Sequence, residues 1–257
     1  NGGYILNNTA DIVSAAEFSM NLKEAFPQYE TPNVSCFSEI DSTNTYAKRE
    51  LSSCTALRNH DGSLTEDGRR LDQSIIIAQT QSAGRGRQGR TFVSPSKTGI
   101  YFSIIHAPRG GITSPAKITA AAAVAVCRAI NKLYGEEARI KWINDVFIGT
   151  KKVCGILTEG IANFENGFIE AAIIGIGINI NDNPQLKDNP QLSSVGSICQ
   201  GNANKVARCK LVAHVYGELI SILNDKTDAF MAEYKSLSIL TGKTVQVTTL
   251  AMAGSTP

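Results

Sequence analysis

The stretch Gly84-Arg85-Gly86-Arg87-Gln88-Gly89-Arg90 puts three guanidiniums on a glycine-rich loop with no acid beside them in sequence. Glycine lets a backbone approach a ligand closely and adopt positive φ. Crowded cations repel one another unless an anion joins them, and phosphate suits the guanidinium fork. The bland alternative is a solvated basic loop. Gly84-x-Gly86-x-x-Gly89 also matches the dinucleotide-binding pattern by letter, but that pattern should open a helix. Here Thr91-Phe92-Val93-Ser94-Pro95 follows, extended and carrying a proline. That reading fails. Gly175-Ile176-Gly177 is weaker still, because it runs into Asn181-Asp182-Asn183-Pro184.

Two further clusters carry charge. In Lys141-Trp142-Ile143-Asn144-Asp145, strand alternation puts Lys141 and Ile143 on one face and Trp142 on the other. The Lys and the Asp would hold nucleotide phosphates and Mg²⁺ respectively; otherwise Asn144-Asp145 is simply a hairpin corner. In Lys151-Lys152-Val153-Cys154-Gly155-Ile156-Leu157, alternation places Lys152 and Cys154 together, away from Val153. An inward lysine on a central strand is costly without an anion, and Gly155 leaves room for a ligand against the backbone. The alternative is a lysine at a strand end facing water.

These segments need elements to hold them. Val34–Ile40 reads as a strand, after which Asp41-Ser42-Thr43-Asn44 starts a helix through Tyr46–Leu51. Polar Ser52–Gln73 reads as a long exposed connection, and residues 1–34 show no clear period. Ser74–Gln79 and Thr98–His106 read as strands on either side of the arginine loop. Ser114 as cap, Pro115 in the first turn and Gly135 as stop bound a helix whose apolar face is Ile118, Ala122, Ala125, Ala129 and Leu133. Arg139–Ile143, Val146–Ile148, Lys152–Glu159 and Gly167–Ile178 then form successive strands with short turns, which favours an antiparallel or mixed sheet. Asn181–Ser197 is a polar loop, Lys205–Leu223 and Asp228–Leu237 are helical, and Lys243–Leu250 alternates like a strand.

Composition narrows the class. The 257 residues hold 25 Lys+Arg against 23 Asp+Glu, a formal charge of +2 that does not suggest a general nucleic-acid or membrane binder. Six cysteines include no Cys-x-x-Cys pair and the three histidines are scattered, so reduced thiols and no structural metal site are expected. No apolar run reaches the ~18 residues of a membrane span, and no secretory signal is visible. A cytoplasmic protein is the expectation.

Taken in order, the motifs resemble those of the biotin–protein ligases. That family carries a Ser-Thr-Asn helix start, a Gly-Arg-Gly-Arg-x-Gly-Arg loop, a Lys-Trp-x-Asn-Asp turn, a Lys-x-x-Gly-Ile-Leu strand and a Gly-x-Gly-Ile-Asn strand end. This chain has them at Ser42–Asn44, Gly84–Arg90, Lys141–Asp145, Lys152–Leu157 and Gly175–Asn179. Five ordered motifs are far more specific than any one. The resemblance implies an α+β fold, a mixed β-sheet flanked by helices similar to the catalytic domain of class II aminoacyl-tRNA synthetases. It implies a catalytic domain over 35–240, an N-terminal extension over 1–34, and a reduced SH3-like β domain starting at 241–257.

It also implies ATP-dependent activation of biotin to an acyl-adenylate and transfer to a lysine of a carboxylase's biotin-acceptor domain, with Mg²⁺. Ser42, Thr43 and Gln81 would then bind the biotin ureido ring, while Gly84, Arg85, Gly155, Ile156, Gly175 and Gly177 line its pocket. Arg87 and Lys152 would act catalytically between the biotin carboxylate and the α-phosphate. Arg90, Lys141, Asn144, Asp145 and Asn179 would serve the nucleotide, Phe92 would stack on adenine, and Asp145 would hold the metal. Family members usually carry Trp at the place of Phe92 and Pro at the place of Ile143. Some relatives carry a DNA-binding winged helix, for which the residues before Val34 have neither length nor a basic helix; no nucleic acid is expected. A homodimer is left open. A lipoate–protein ligase, whose loop is typically Arg-Arg-x-Ser-Gly-Gly-Gly, is the nearest rival, and a biotin binder without ligase activity is another.

Overall fold

The computed structural model describes residues 11–162, 168–183, 194–201, 206–225 and 227–245. Its strands are β1 (Val34–Phe37), β2 (Ile75–Ala78), β3 (Gly99–His106), β4 (Ala138–Lys141), β5 (Asp145–Ile148), β6 (Lys151–Ala162) and β7 (Ile169–Asn179). They form one sheet in the order β1-β2-β3-β7-β6-β5-β4. Only β1–β2 pairs in parallel, and every other pairing is antiparallel, so the expected mixed sheet is present. The helices are α1 (Ala15–Ala25), α2 (Thr43–Ser52), α3 (Glu66–Leu71), α4 (Pro115–Tyr134), α5 (Arg208–Asn224) and α6 (Phe230–Leu237).

Strand alternation sends two sets of side chains to opposite faces. Ile100, Phe102 and Ile104 of β3 join Ile174, Ile176 and Ile178 of β7 in the main core, against α4, α5 and α1. On the other face Ile76, Ile105 and Ile173 pack under Ala47 and Leu51 of α2, with Leu57 and Leu71. Beyond Ile173 that second face of β7 continues as Gly175, which Asn44 of α2 covers, and then as Gly177 and Asn179, past the apolar residues of α2. The loss of side-chain volume there opens a cavity.

α4 begins at Pro115 and ends on Gly135 at φ 70°, as the sequence predicts, but Ser114 makes no side-chain capping bond. Pro115 supplies the preset φ in its place. The segment read as aperiodic contains α1, whose Phe18 and Leu22 are fully buried. Its signal is Ser14-Ala15-Ala16-Glu17, a capping-box pattern, and Ser14 Oγ accepts from the Glu17 N–H at 3.2 Å. α1 therefore shares the main core, and residues 15–25 are not an appendage to it. Ser52–Gln73 likewise departs from an exposed connection. It holds α3, and the Arg58 guanidinium donates to the carbonyls of Gly62, Ala107, Pro108 and Glu170 at 2.5–3.3 Å.

Lys243–Val245 forms no strand; the rest of the alternating 243–250 stretch, and residues 184–193 of the Asn181–Ser197 loop, lie outside the described residues. No helix among the described residues is long and apolar enough to cross a membrane.

The α1–α5 contact gives a first prediction. A Cβ on Gly217 of α5 would lie 2.3 Å from Phe26 Cδ2 and 2.5 Å from its Cγ. Cγ is the root of the ring, so rotating the ring does not relieve the clash. Alanine gains ~1 kcal/mol of helix propensity, against ~1–3 kcal/mol for overpacking. Gly217→Ala is expected to lower the thermal midpoint by a few degrees; a midpoint at or above the parent's would refute this packing.

Candidate active site

Register places the floor of the cavity. Across the sheet, Gly155 of β6 pairs with Gly177 of β7 and Gly177 with Tyr101 of β3. In the next row toward α2, Leu157, Gly175 and Ser103 line up the same way. The cavity over these rows has a volume of about 1150 Å³. Its α2 end is polar: Ser42 caps α2, the Thr43 N–H donates to Gln81 Oε1 at 2.9 Å, and Gln81 Nε2 donates to Ser94 Oγ at 2.9 Å. Ser94 Oγ in turn donates to the Phe92 carbonyl at 2.9 Å, which ties the arginine loop to this end.

The opposite end is cationic. Val146 pairs with Cys154 and Phe147 with Lys152, so Val153 is an extra residue on β6. Such a bulge breaks the alternation. Val153 and Cys154 both enter the main core, and Lys152 turns instead toward Gly155. The expected pairing of Lys152 with Cys154 on one face is thereby overturned. Lys152 Nζ sits 2.7 Å from Asp145 Oδ1, both only about a quarter exposed. Arg87 donates to Asn144 Oδ1 at 3.0 Å, and Asn144 Nδ2 donates to the Ile156 carbonyl at 2.9 Å. β4 ends at Lys141, so alternation does not continue through Trp142 and Ile143. Lys141 Nζ lies 5.6 Å from the Phe147 ring centroid. Arg90, Ile156 and Asn179 also line this cavity. Arg87, Lys141 and Lys152 thus face one space.

Residues 36–179, which include every residue named for the cavity, match the model of the biotin/lipoate A/B protein ligase family. The chain belongs to that family. It is 35% identical over 142 residues to the bifunctional ligase/repressor BirA of Bacillus subtilis (strain 168), covering 55% of this chain and 43% of that protein. To the biotin–[acetyl-CoA-carboxylase] ligase of Paracoccus denitrificans it is 36% identical over 111 residues, covering 42% and 45%. The chain therefore spans less than half the length of these curated relatives. Among solved structures, a biotin protein ligase from Leishmania major in complex with biotinyl-5-AMP has a TM-score of 0.63 at 19% identity, covering 88% of this chain and 87% of that one. One from Aquifex aeolicus in complex with biotin and ATP has a TM-score of 0.60 at 21% identity, covering 80% and 78%. At such identities the likeness is one of fold.

Within this ligase-family segment, three placements differ from expectation. Gly84 does not line the main cavity; a Cβ there would meet the Phe92 carbonyl oxygen at 2.3 Å and Ser94 Oγ at 2.6 Å, so it seats the loop. The Phe92 ring lies on the floor itself, within 2.5 Å of a Cβ on Gly177 and 2.9 Å of one on Gly155. The arginine loop also has an acid beside it in space: Arg85 reaches Glu159 Oε1 at 3.5 Å.

Glu159 is the residue that sequence reasoning missed. It takes Lys48 Nζ at 2.7 Å and Asn44 Nδ2 at 2.8 Å as well. Burial pushes its pKa up, but the hydrogen bonds from Lys48 and Asn44 and the charges of Lys48 and Arg85 win, and the net shift is downward. Its alternation with Leu157 and Gly155 on β6 was the available signal. The cysteines fit the apolar role: burial raises the Cys127 thiol to about 12 and Cys154 well above its usual range, and none of the six is in a disulfide.

Proposed function

We propose that this chain activates biotin with ATP and passes the biotinoyl group to a lysine of an acceptor protein. The observation that carries this reading is one cavity with a neutral polar end at Ser42, Thr43 and Gln81 and a cationic end at Arg87, Lys141 and Lys152. A ureido ring offers both a carbonyl and N–H groups to the first end, and a carboxylate meets the second. A dithiolane offers neither, and would leave the buried polar groups unpaired at ~1–3 kcal/mol each. That favours biotin over lipoate. The name of the curated relative from Paracoccus denitrificans, a biotin–[acetyl-CoA-carboxylase] ligase, supports the same choice.

In the first step a biotin carboxylate oxygen attacks the α-phosphorus, and the bond to pyrophosphate breaks. Two anions must approach, and Lys152 and Arg87 neutralise the reacting oxygens and the developing charge. The Asp145–Lys152 ion pair holds the ammonium at the bulge until those anions arrive. For the acyl chain to lie on Gly155 and Gly177, the Phe92 ring must rotate off them. In the second step a neutral acceptor amine attacks the acyl carbon of the mixed anhydride, AMP leaves with its electron pair, and the attacking nitrogen releases a proton to solvent. No enzyme nucleophile is required. Asp145 fits Mg²⁺, which takes one or two carboxylates alongside substrate phosphates and would supply further charge neutralisation. The acceptor we assign is the biotin-carrying domain of a carboxylase, in the cytoplasm.

The test is pyrophosphate release with ATP and either biotin or lipoate. Release dependent on biotin alone is expected, and release dependent on lipoate alone would reverse the substrate assignment.

A further inference from the structure

We propose that Glu159 sets the hydrogen-bond polarity of the ring-binding end, making Thr43 Oγ1 an acceptor reserved for a ligand N–H. This rests on the biotin reading above and deepens it. Glu159 acts through other residues and is a positioning residue.

The argument is a count of protons. An ionised carboxylate only accepts, so Asn44 must turn its Nδ2 toward Glu159 Oε2, 2.8 Å away, where it also reaches the Leu157 carbonyl at 3.3 Å. Asn44 Oδ1 then points the other way, over Gly175, where a Cβ would lie only 2.2 Å from it. It faces Ser103 Oγ at 2.6 Å and can only accept from it. Ser103 is fully buried and has a single hydroxyl proton, which this contact uses. Its second short contact, 2.7 Å to Thr43 Oγ1, must therefore use the threonine's proton.

Thr43 Oγ1 also lies 3.2 Å from Gln81 Oε1, beyond the usual ~2.5–3.0 Å for O–H···O, while 2.7 Å is central to it. Gln81 Oε1 is already served by the Thr43 N–H at 2.9 Å. With its proton committed to Ser103, Thr43 shows the cavity only lone pairs. A ring N–H satisfies them, and a ring oxygen at the same place is repelled. One charge on β6 thus fixes which atom types the far end of the site accepts.

The experiment measures pyrophosphate release by the full chain with biotin and with its two cyclic carbamate analogues, in each of which one ureido N–H is replaced by a ring oxygen. In the parent, one analogue is expected to have a KM roughly 10–100-fold above that of biotin, the effect of one mismatched buried polar contact. Glu159→Gln offers an N–H to Asn44, lets its amide reverse, and frees the threonine proton. The discrimination should fall about tenfold and the biotin KM rise by a similar factor, with kcat within about threefold. Glu159→Asp keeps the charge and should keep the discrimination. Ser103→Ala removes the relay and should lose it, which covers the case that Glu159→Gln does not fold. A parent active on biotin whose Glu159→Gln or Ser103→Ala variant discriminates as before overturns the proposal alone. A parent inert towards biotin overturns the functional reading, and this proposal with it.

Discussion

Lys152→Ala is expected to lower kcat for biotin-dependent pyrophosphate release by ~10²–10³-fold, the range for removing one group aimed at developing charge. Lys152 is turned into the cavity by the Val153 bulge and held 2.7 Å from Asp145. Its loss removes the cation between the two reacting anions, while the polar end at Ser42, Thr43 and Gln81 is untouched. Biotin affinity, measured by calorimetry, should therefore change much less than turnover. The substitution also leaves the Asp145 carboxylate without its partner, which adds repulsion toward the incoming phosphates. The double variant Lys152→Ala/Asp145→Asn separates the two roles of that carboxylate: a partial return of activity measures the repulsion, and a further fall measures its share in holding Mg²⁺. Unchanged turnover in the single variant would remove Lys152 from the mechanism.

The second large effect belongs to a residue outside the main cavity. Gly84→Ala brings a Cβ to 2.3 Å from the Phe92 carbonyl oxygen, and a backbone atom has no rotamer by which to escape. The Gly84 carbonyl accepts the Phe92 N–H at 2.9 Å, so the two chain segments are locked together and must separate. Arg85 and Arg87 ride on the same loop, and Ser94, which holds Gln81, closes it. A displacement of ~1 Å at reacting groups costs about 10² in rate. We expect kcat/KM for biotin to fall by about that factor, with the thermal midpoint within a few degrees of the parent because the strands and helix cores are not touched. A loss of the same size explained wholly by unfolding, seen by circular dichroism, would contradict this account.

Much of the frame was legible before any coordinates. The isoleucine runs of β2, β3 and β7, the Pro115–Gly135 bounds of α4 and the short turns between β4, β5 and β6 are local patterns. What was misread was also local in origin. α1 is short, with only Phe18, Asn21 and Leu22 buried, so its period was faint, although its cap was written at Ser14 and Glu17. α3 is six residues long and sits in a polar stretch whose leucines, Leu57, Leu64 and Leu71, come only every seventh residue.

The motifs by themselves named most of the residues that line the cavity, though not Glu159 and with Gly84 outside it, because each combines a turn or glycine with a charge within a few residues of chain. Tertiary structure alone decided where those groups point. The direction of Lys152 depends on an extra residue opposite β5, and alternation along one strand carries no record of its neighbour's register. The neutralisation of Arg85 by Glu159 joins groups 74 positions apart, as does the wedging of Asn44 over Gly175 across a still longer span. Side-chain direction and charge balance are properties of pairs, and the second member of each pair arrives only when the chain has folded.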